Sequence, residues 1–370
     1  MQTKEEIKLK KDFCYVENKT ILGKKLIVGL KNSNAYVQIP EPYWNSFYVF
    51  LSKIKNNLEM DTLSVQETIL FELFKKNGYF EGYKVKSSFN EYNSLVKVFF
   101  QKKFEANDTQ KINRWKKYVV YCMYFLICFV GILIFSQNYQ YIDYVIDLKK
   151  FSFEDVLVSI TIVPCLIDAI HEGGHFVMAK LLGIEPRDIN IGLFVTWPVI
   201  YIRYKGLNLN STLDKVCILS GGVIGHLVGI VIGKCFLLAG VNSNVLNIWI
   251  VANMSMIITN LLPGLPGDGY FILSSVIGIF NLRYKGYKNL FTIIEHRNKC
   301  TFKDVICPMI MLGLWIDSFI GIFKSLDYYS NVFMIRGNLF LMIGIAYITF
   351  LAIRFIWKLL EMKKQFDLVN

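Results

Sequence analysis

The sequence predicts a polytopic α-helical membrane protein of about six spans, preceded by a small soluble α+β domain. Three observations predict it. Of 370 residues, 54% are hydrophobic and 19% charged, below the roughly 25% charge of an ordinary soluble domain. The apolar residues are also unevenly placed. Residues 1–110 hold 17 Lys/Arg against 13 Asp/Glu, whereas residues 111–370 hold 24 against 16 in short segments between long apolar runs. The basic segments flank those runs, as the positive-inside rule requires. The net charge of +12 therefore needs no nucleic acid, and no basic stripe with interleaved aromatics is present. The first 13 residues are charged and lack an apolar h-region, so the N-terminal domain is expected to stay in the cytoplasm. The eight Cys are scattered without a CxxC pair and read as small buried hydrophobes.

In the N-terminal domain, placed at residues 1–110, Tyr15-Val16, Lys25–Leu30 and Ala35–Ile39 are β-prone. Lys31-Asn32-Ser33-Asn34 supplies a turn between the last two. Pro40 and Pro42 precede a helical pattern over Tyr43–Lys55. A second helix is expected after Ser64, which forms a capping-box pattern with Glu67, and Gly78 suits its C-terminal end. Leu63, Leu70, Phe71 and Phe74 give that helix an apolar face. Leu95–Phe100 is expected to complete the domain. The size and order of these elements resemble a winged-helix module, and also the leader-peptide recognition domains of peptide-maturation proteins. A packing or regulatory domain fits the same residues.

The membrane domain, residues 111–370, opens with the basic collar Lys111–Lys117. The expected spans are Tyr118–Phe135, Val156–Leu182, Val216–Ala239, an interrupted span over Ile248–Phe280, then Val305–Phe323 and Leu339–Trp357. The loops Ser136–Asp155 and Gly240–Asn247 carry little or no net charge, while Arg283–Lys303 and Lys358–Lys364 are basic. Both termini are therefore expected in the cytoplasm. Ile189–Tyr204 is rich in β-branched and aromatic residues and reads as an interfacial β-hairpin turning at Trp197-Pro198. The 34 Lys against 7 Arg, with abundant Ile and Asn, point to an AT-rich bacterial genome and a plasma-membrane location.

The chemistry lies in His171-Glu172-Gly173-Gly174-His175, inside the second span. On a helix, residues i and i+4 share a face, so His171 and His175 can turn two imidazoles to one metal ion. Glu172 can then act as the general base on water. Ionisable groups at membrane depth are costly and point to function. A second cluster, Asn260-Leu261-Leu262-Pro263-Gly264-Leu265-Pro266-Gly267-Asp268-Gly269, breaks a helix, and such breaks are tolerated where backbone is buried or lines a wet cavity. Asp268 completes the three protein ligands a catalytic zinc needs. His171 lies nine residues before Lys180 and Asp268 fifteen before Arg283. At ~1.5 Å per residue, both then sit roughly 15–20 Å from the cytoplasmic boundary.

These two motifs together resemble the site-2 protease family of intramembrane zinc metalloproteases, over about Val156–Phe280. The resemblance implies a site-2-protease-like core holding one zinc per chain through His171, His175 and Asp268, with Glu172 as base. It further implies that Asn260 polarises the scissile carbonyl, and that Ile189–Tyr204 offers an edge to which an unwound substrate adds as a strand. Gly267 and Tyr270 depart from the family pattern, as does Ser220-Gly221-Gly222-Val223-Ile224-Gly225-His226, though none of these removes a ligand.

The expected activity is peptide-bond hydrolysis in or near the bilayer. The substrate is either a ribosomally made peptide precursor or a membrane-anchored regulator, and the surrounding lipid is a further partner. A different class, a non-catalytic peptide-binding or immunity protein retaining the fold, requires Glu172→Gln to change nothing. A transporter would show internal repeats, which are absent from the sequence. His226 reads as an interhelical hydrogen-bond partner among small residues, His296 as a solvated loop residue, and Arg354 as a snorkelling cation. Gly173 and Gly174 read as room for a substrate backbone beside the metal.

Overall fold

The computed structural model describes residues 7–33, 35–56, 62–85, 96–104, 113–137, 152–194, 197–241, 243–263 and 267–279, with scattered positions beyond. Most of the Ser136–Asp155 loop and the expected fifth and sixth spans lie outside the described residues. The chain divides into two compact units. One comprises Met1–Cys122, His175–Ile218 and Ser275–Gly278; the other comprises Met123–Gly174, Leu219–Ser274 and Ile279–Asn370.

The first unit contains two antiparallel sheets. In the N-terminal sheet, β1 (Phe13–Thr20), β2 (Gly23–Leu30) and β3 (Tyr36–Ile39) pair in sequence order, with Tyr15 opposite Val28 and Leu26 opposite Ile39. The central β2 is buried continuously from Leu26 to Leu30. A strand covered on both faces needs an unbroken apolar run rather than an alternating one. Two helices, α1 (Trp44–Lys55) and α2 (Val65–Asn77), close over the sheet, and Phe47, Phe50, Phe74 and Tyr79 are fully buried among Leu26, Val28 and Leu70. The capping box forms as the sequence suggests: Glu67 N–H donates to Ser64 Oγ at 3.3 Å, and Ser64 N–H to Glu67 Oε2 at 2.7 Å. Gly78 ends α2 in the left-handed region at φ 72°.

The Leu95–Phe100 expectation is corrected. The strand is β4 (Val96–Lys103), and it pairs not with the N-terminal sheet but with β5 (Pro186–Phe194), whose other side carries β6 (Trp197–Tyr204). The hairpin read at Ile189–Tyr204 is therefore present, but its own chain covers one edge of β5. Trp197 and Pro198, expected as the turn, belong instead to β6, where Trp197 pairs with Phe194 and Pro198 with Leu193. Proline, lacking an N–H, is tolerated in β6 because β6 is an edge strand. Asp188 and Arg203, opposite one another in β5 and β6, lock the register: Arg203 donates to both carboxylate oxygens of the fully buried Asp188, at 2.6 and 2.9 Å.

The helices described after β4 are α3 (Arg114–Gln137), α4 (Phe153–Leu181), α5 (Thr212–Leu219), α6 (Gly221–Leu238), α7 (Asn244–Leu261) and α8 (Asp268–Ile277). Among the described residues, three helical stretches are long and apolar enough to cross a membrane: Arg114–Ile134, Thr212–Leu238 and Asn244–Leu261. α4, 29 residues long, carries Asp168, His171, Glu172 and His175. The interruption expected within Ile248–Phe280 separates α7 from α8. It leaves Asp268 as the first residue of α8, where a carboxylate is favoured by the helix dipole.

Candidate metal centre

α4 brings His171, Glu172 and His175 together by its own periodicity. One ligand atom from each lies within 4.8 Å of the others, so this group can hold a metal ion. His175 is buried, and its Nδ1 lies 2.7 Å from the Ile218 carbonyl oxygen. A carbonyl only accepts, so Nδ1 carries the hydrogen and Nε2 keeps its lone pair for a metal.

Asp268 stands at the edge of this group. Its Oδ2 is 3.4 Å from His171 Nε2. Two ligands on a tetrahedral zinc, each ~2.0–2.1 Å from the ion, lie about 3.4 Å apart. The donor set, two imidazoles with a carboxylate, is one that suits zinc. The ligand atoms the structure gathers are those of His171, Glu172 and His175, whereas Asp268, expected as the third ligand, is placed against His171.

Asn260, the penultimate residue of α7, reaches the same neighbourhood by another route. Its Nδ2 lies 3.3 Å from Nε2 of His226. His226, on α6, is fully buried. Its Nε2 is 3.0 Å from His171 Nδ1, and its Nδ1 is 3.1 Å from Asn253 Oδ1. Asn253 Nδ2 donates in turn to the Trp249 carbonyl at 2.8 Å. The sequence reading gave His226 a hydrogen bond but not this partner, and it passed over Asn253 altogether. An asparagine within an apolar helix was the signal available, because a polar amide there must find partners.

Close approach of α4 to α6 depends on glycine. A methyl group added at Gly174 would stand 2.1 Å from the Gly221 carbonyl oxygen, and one at Gly222 would stand 2.2 Å from His171 Cε1. A methyl group at Gly173, by contrast, meets nothing within 4 Å among the described residues. The expectation for this pair is therefore corrected in half: Gly174 is consumed by helix packing, and only Gly173 faces open space.

No protein-family model matches this chain, and neither a curated protein nor a solved structure does.

Proposed function

We propose that this protein is a membrane-embedded zinc metalloendopeptidase resembling the site-2 protease family, hydrolysing a peptide bond in or near the bilayer. One observation supports this above the rest. His171 Nε2 and Asp268 Oδ2, ninety-seven residues apart in sequence, face each other at 3.4 Å beside Glu172 and His175. His171, His175 and Asp268 would hold the ion. When bound, zinc supplies Lewis-acid activation of a water molecule and of the scissile carbonyl. Glu172 accepts the proton from that water and returns it to the leaving amine. Asn260, whose Nδ2 already points one hydrogen toward His226, has a second amide hydrogen to offer the scissile carbonyl. The protein would sit in a bacterial plasma membrane with both termini cytoplasmic.

A peptide precursor is favoured over a membrane-anchored regulator by the N-terminal sheet. A groove of about 820 Å³ runs between the edge strand β3, at Val37 and Gln38, and α2, at Ile69, Leu73 and Lys76. An extended leader segment can add to such an edge and set apolar side chains into the groove.

The test is metal content and cleavage by the detergent-purified protein. Wild type and Glu172→Gln should carry about one zinc per chain, as expected of a single three-ligand site. His171→Ala and Asp268→Ala should lose it. Glu172→Gln should also lower cleavage by roughly 10²–10⁴-fold. Well-folded wild type without bound metal would overturn the proposal. For the groove, deletion should stop at residue 85, since removal through residue 110 also strips β4 from β5. The shortened protein should bind precursor more weakly while cleaving short peptides normally.

A further inference from the structure

We propose that His226 is a positioning residue that fixes the tautomer of His171 and so keeps His171 Nε2 available to the metal. The argument starts at the far end of a hydrogen-bond chain. The Trp249 carbonyl oxygen can only accept, so the group 2.8 Å from it must be the NH₂ of Asn253. The amide oxygen of Asn253 then faces His226 Nδ1 at 3.1 Å. An amide oxygen also only accepts, so His226 carries its hydrogen on Nδ1. In a neutral imidazole, Nε2 is then the acceptor. That lone pair lies 3.0 Å from His171 Nδ1 and 3.3 Å from the Asn260 NH₂. His171 must therefore place its hydrogen on Nδ1, which leaves the lone pair on Nε2, the atom 3.4 Å from Asp268. Were His171 protonated on Nε2 instead, its metal-facing atom would have no lone pair to give.

The shape of α6 makes room for this chain of contacts. His226 has Gly222 one turn before it and Gly229 about one turn after it. A methyl group at Gly222 would strike the His171 ring, and one at Gly229 would lie 2.7 Å from Asn253 Oδ1. Glycine at these two positions lets the His226 ring stand between the two groups it connects. Both His226 and Asn253 are fully buried, so water cannot take the place of either. A buried histidine that merely joined helices would need a partner on a neighbouring helix, but not a fixed direction for every hydrogen in the chain.

The inference rests on His171 being a metal ligand, and the experiment separates the two claims. Zinc affinity is measured on the full-length, detergent-purified protein by competition with a chromophoric chelator, beside the visible spectrum of the cobalt-loaded form. His226→Leu removes the acceptor and should weaken zinc binding by roughly 10–100-fold, with an altered cobalt spectrum. His226→Gln retains one acceptor for His171 and one donor for Asn253, and should restore most of the affinity. Affinity and spectrum unchanged in His226→Leu, in a protein that loses zinc on His171→Ala, would overturn the tautomer assignment alone. Equal losses in the Leu and Gln variants would reduce His226 to packing and overturn it too. Wild type without zinc would sink both claims. If His226→Leu fails to fold, ¹⁵N-histidine NMR of the chelator-stripped wild type decides. His171 protonated on Nδ1 is expected, and protonation on Nε2 would refute the assignment.

Discussion

Phe47, Phe50 and Phe74 are entirely buried in the N-terminal domain, whereas beside His171 the entirely buried side chains include His226 and Asn253. The first set is held by area removed from water and by aromatic contact. Phe74 alone lies 5.2–6.3 Å, centroid to centroid, from Phe13, Phe47, Phe50, Tyr79 and Phe80. Such packing is strong but weakly directional. The second set is held by helices brought close through glycine and by hydrogen bonds whose geometry is specified atom by atom. Between helices this apolar, burial offers little discrimination, and polar partners supply the orientation. One region is built to be stable, and the other to hold an imidazole at one angle.

The largest expected effect breaks the first region. Phe74→Ala should destabilise the N-terminal domain by about 3–5 kcal/mol, the range for deleting a buried aromatic ring. Hydrogen exchange on the full-length protein should show protection lost in β1–β3, α1 and α2. Zinc content should remain at the wild-type level, and its collapse would show that the two kinds of packing are not separable.

Next comes a substitution that tests the second region with the smallest possible side chain. A methyl group at Gly225 would stand 2.4 Å from the Ile170 carbonyl oxygen and 3.4 Å from His171 Cα. Backbone cannot rotate away as a side chain can, so α4 and α6 must separate. Gly225→Ala is expected to destabilise by about 1–3 kcal/mol, the range for overpacking. It should also lower zinc affinity at least as far as His226→Leu does. Thermal unfolding in detergent and chelator competition measure the two effects. A normal melting temperature with normal zinc binding would show that the glycine contacts are not limiting.

This contrast also decides what the sequence could reveal. Patterns that close within one element were legible. The His171/His175 spacing is helical geometry, and the Ser64/Glu67 box is a local hydrogen-bond exchange. Both are determined by residues three or four apart. A distant partner was legible where a motif stood on each side, as for His171 and Asp268, 3.4 Å apart, but not where one side carried none. Nothing in Val96–Lys103 states that it pairs with Pro186–Phe194 rather than with the nearer N-terminal sheet. Either edge would satisfy the same backbone groups. Nor does the motif distinguish Gly173 from Gly174. The two differ only in that Gly174 meets the Gly221 carbonyl across to α6. The partner of His226 depends on the rotation of α6 against α4 and α7, which an apolar helix without a polar face does not announce.

A smaller effect concerns pH in the N-terminal domain. Lys53 Nζ, 2.8 Å from Glu67 Oε2, holds the Glu67 carboxyl below its ordinary range, helped by the Ser64 N–H and opposed by burial. A carboxyl whose folded pKa is depressed stabilises the fold above its unfolded value of about 4.3, and that contribution is lost as pH falls through the folded value. The wild-type domain should thus lose stability as pH drops below the ordinary carboxylate range, and Glu67→Gln should flatten that slope. Ser64→Ala, which removes the reciprocal half of the cap, should cost about 1 kcal/mol at neutral pH. An unchanged slope in Glu67→Gln would assign the acid sensitivity elsewhere.

The smallest effect on stability is expected where the two regions differ least in packing and most in purpose. Gly173 occupies the interior of α4, where glycine is roughly 0.5–1 kcal/mol worse than alanine. A methyl group there meets nothing within 4 Å among the described residues. Gly173→Ala should therefore melt slightly higher than wild type and keep its zinc. A glycine that weakens a helix without permitting a contact among the described residues leaves its space to something else. If that is a substrate backbone passing Glu172, cleavage of the precursor should fall, through a raised KM, while metal affinity and fold are untouched. Unchanged KM in the stabilised variant would leave Gly173 without a role in substrate binding. It would also place the peptide on another face of α4, where Gly174 is already closed off by Gly221.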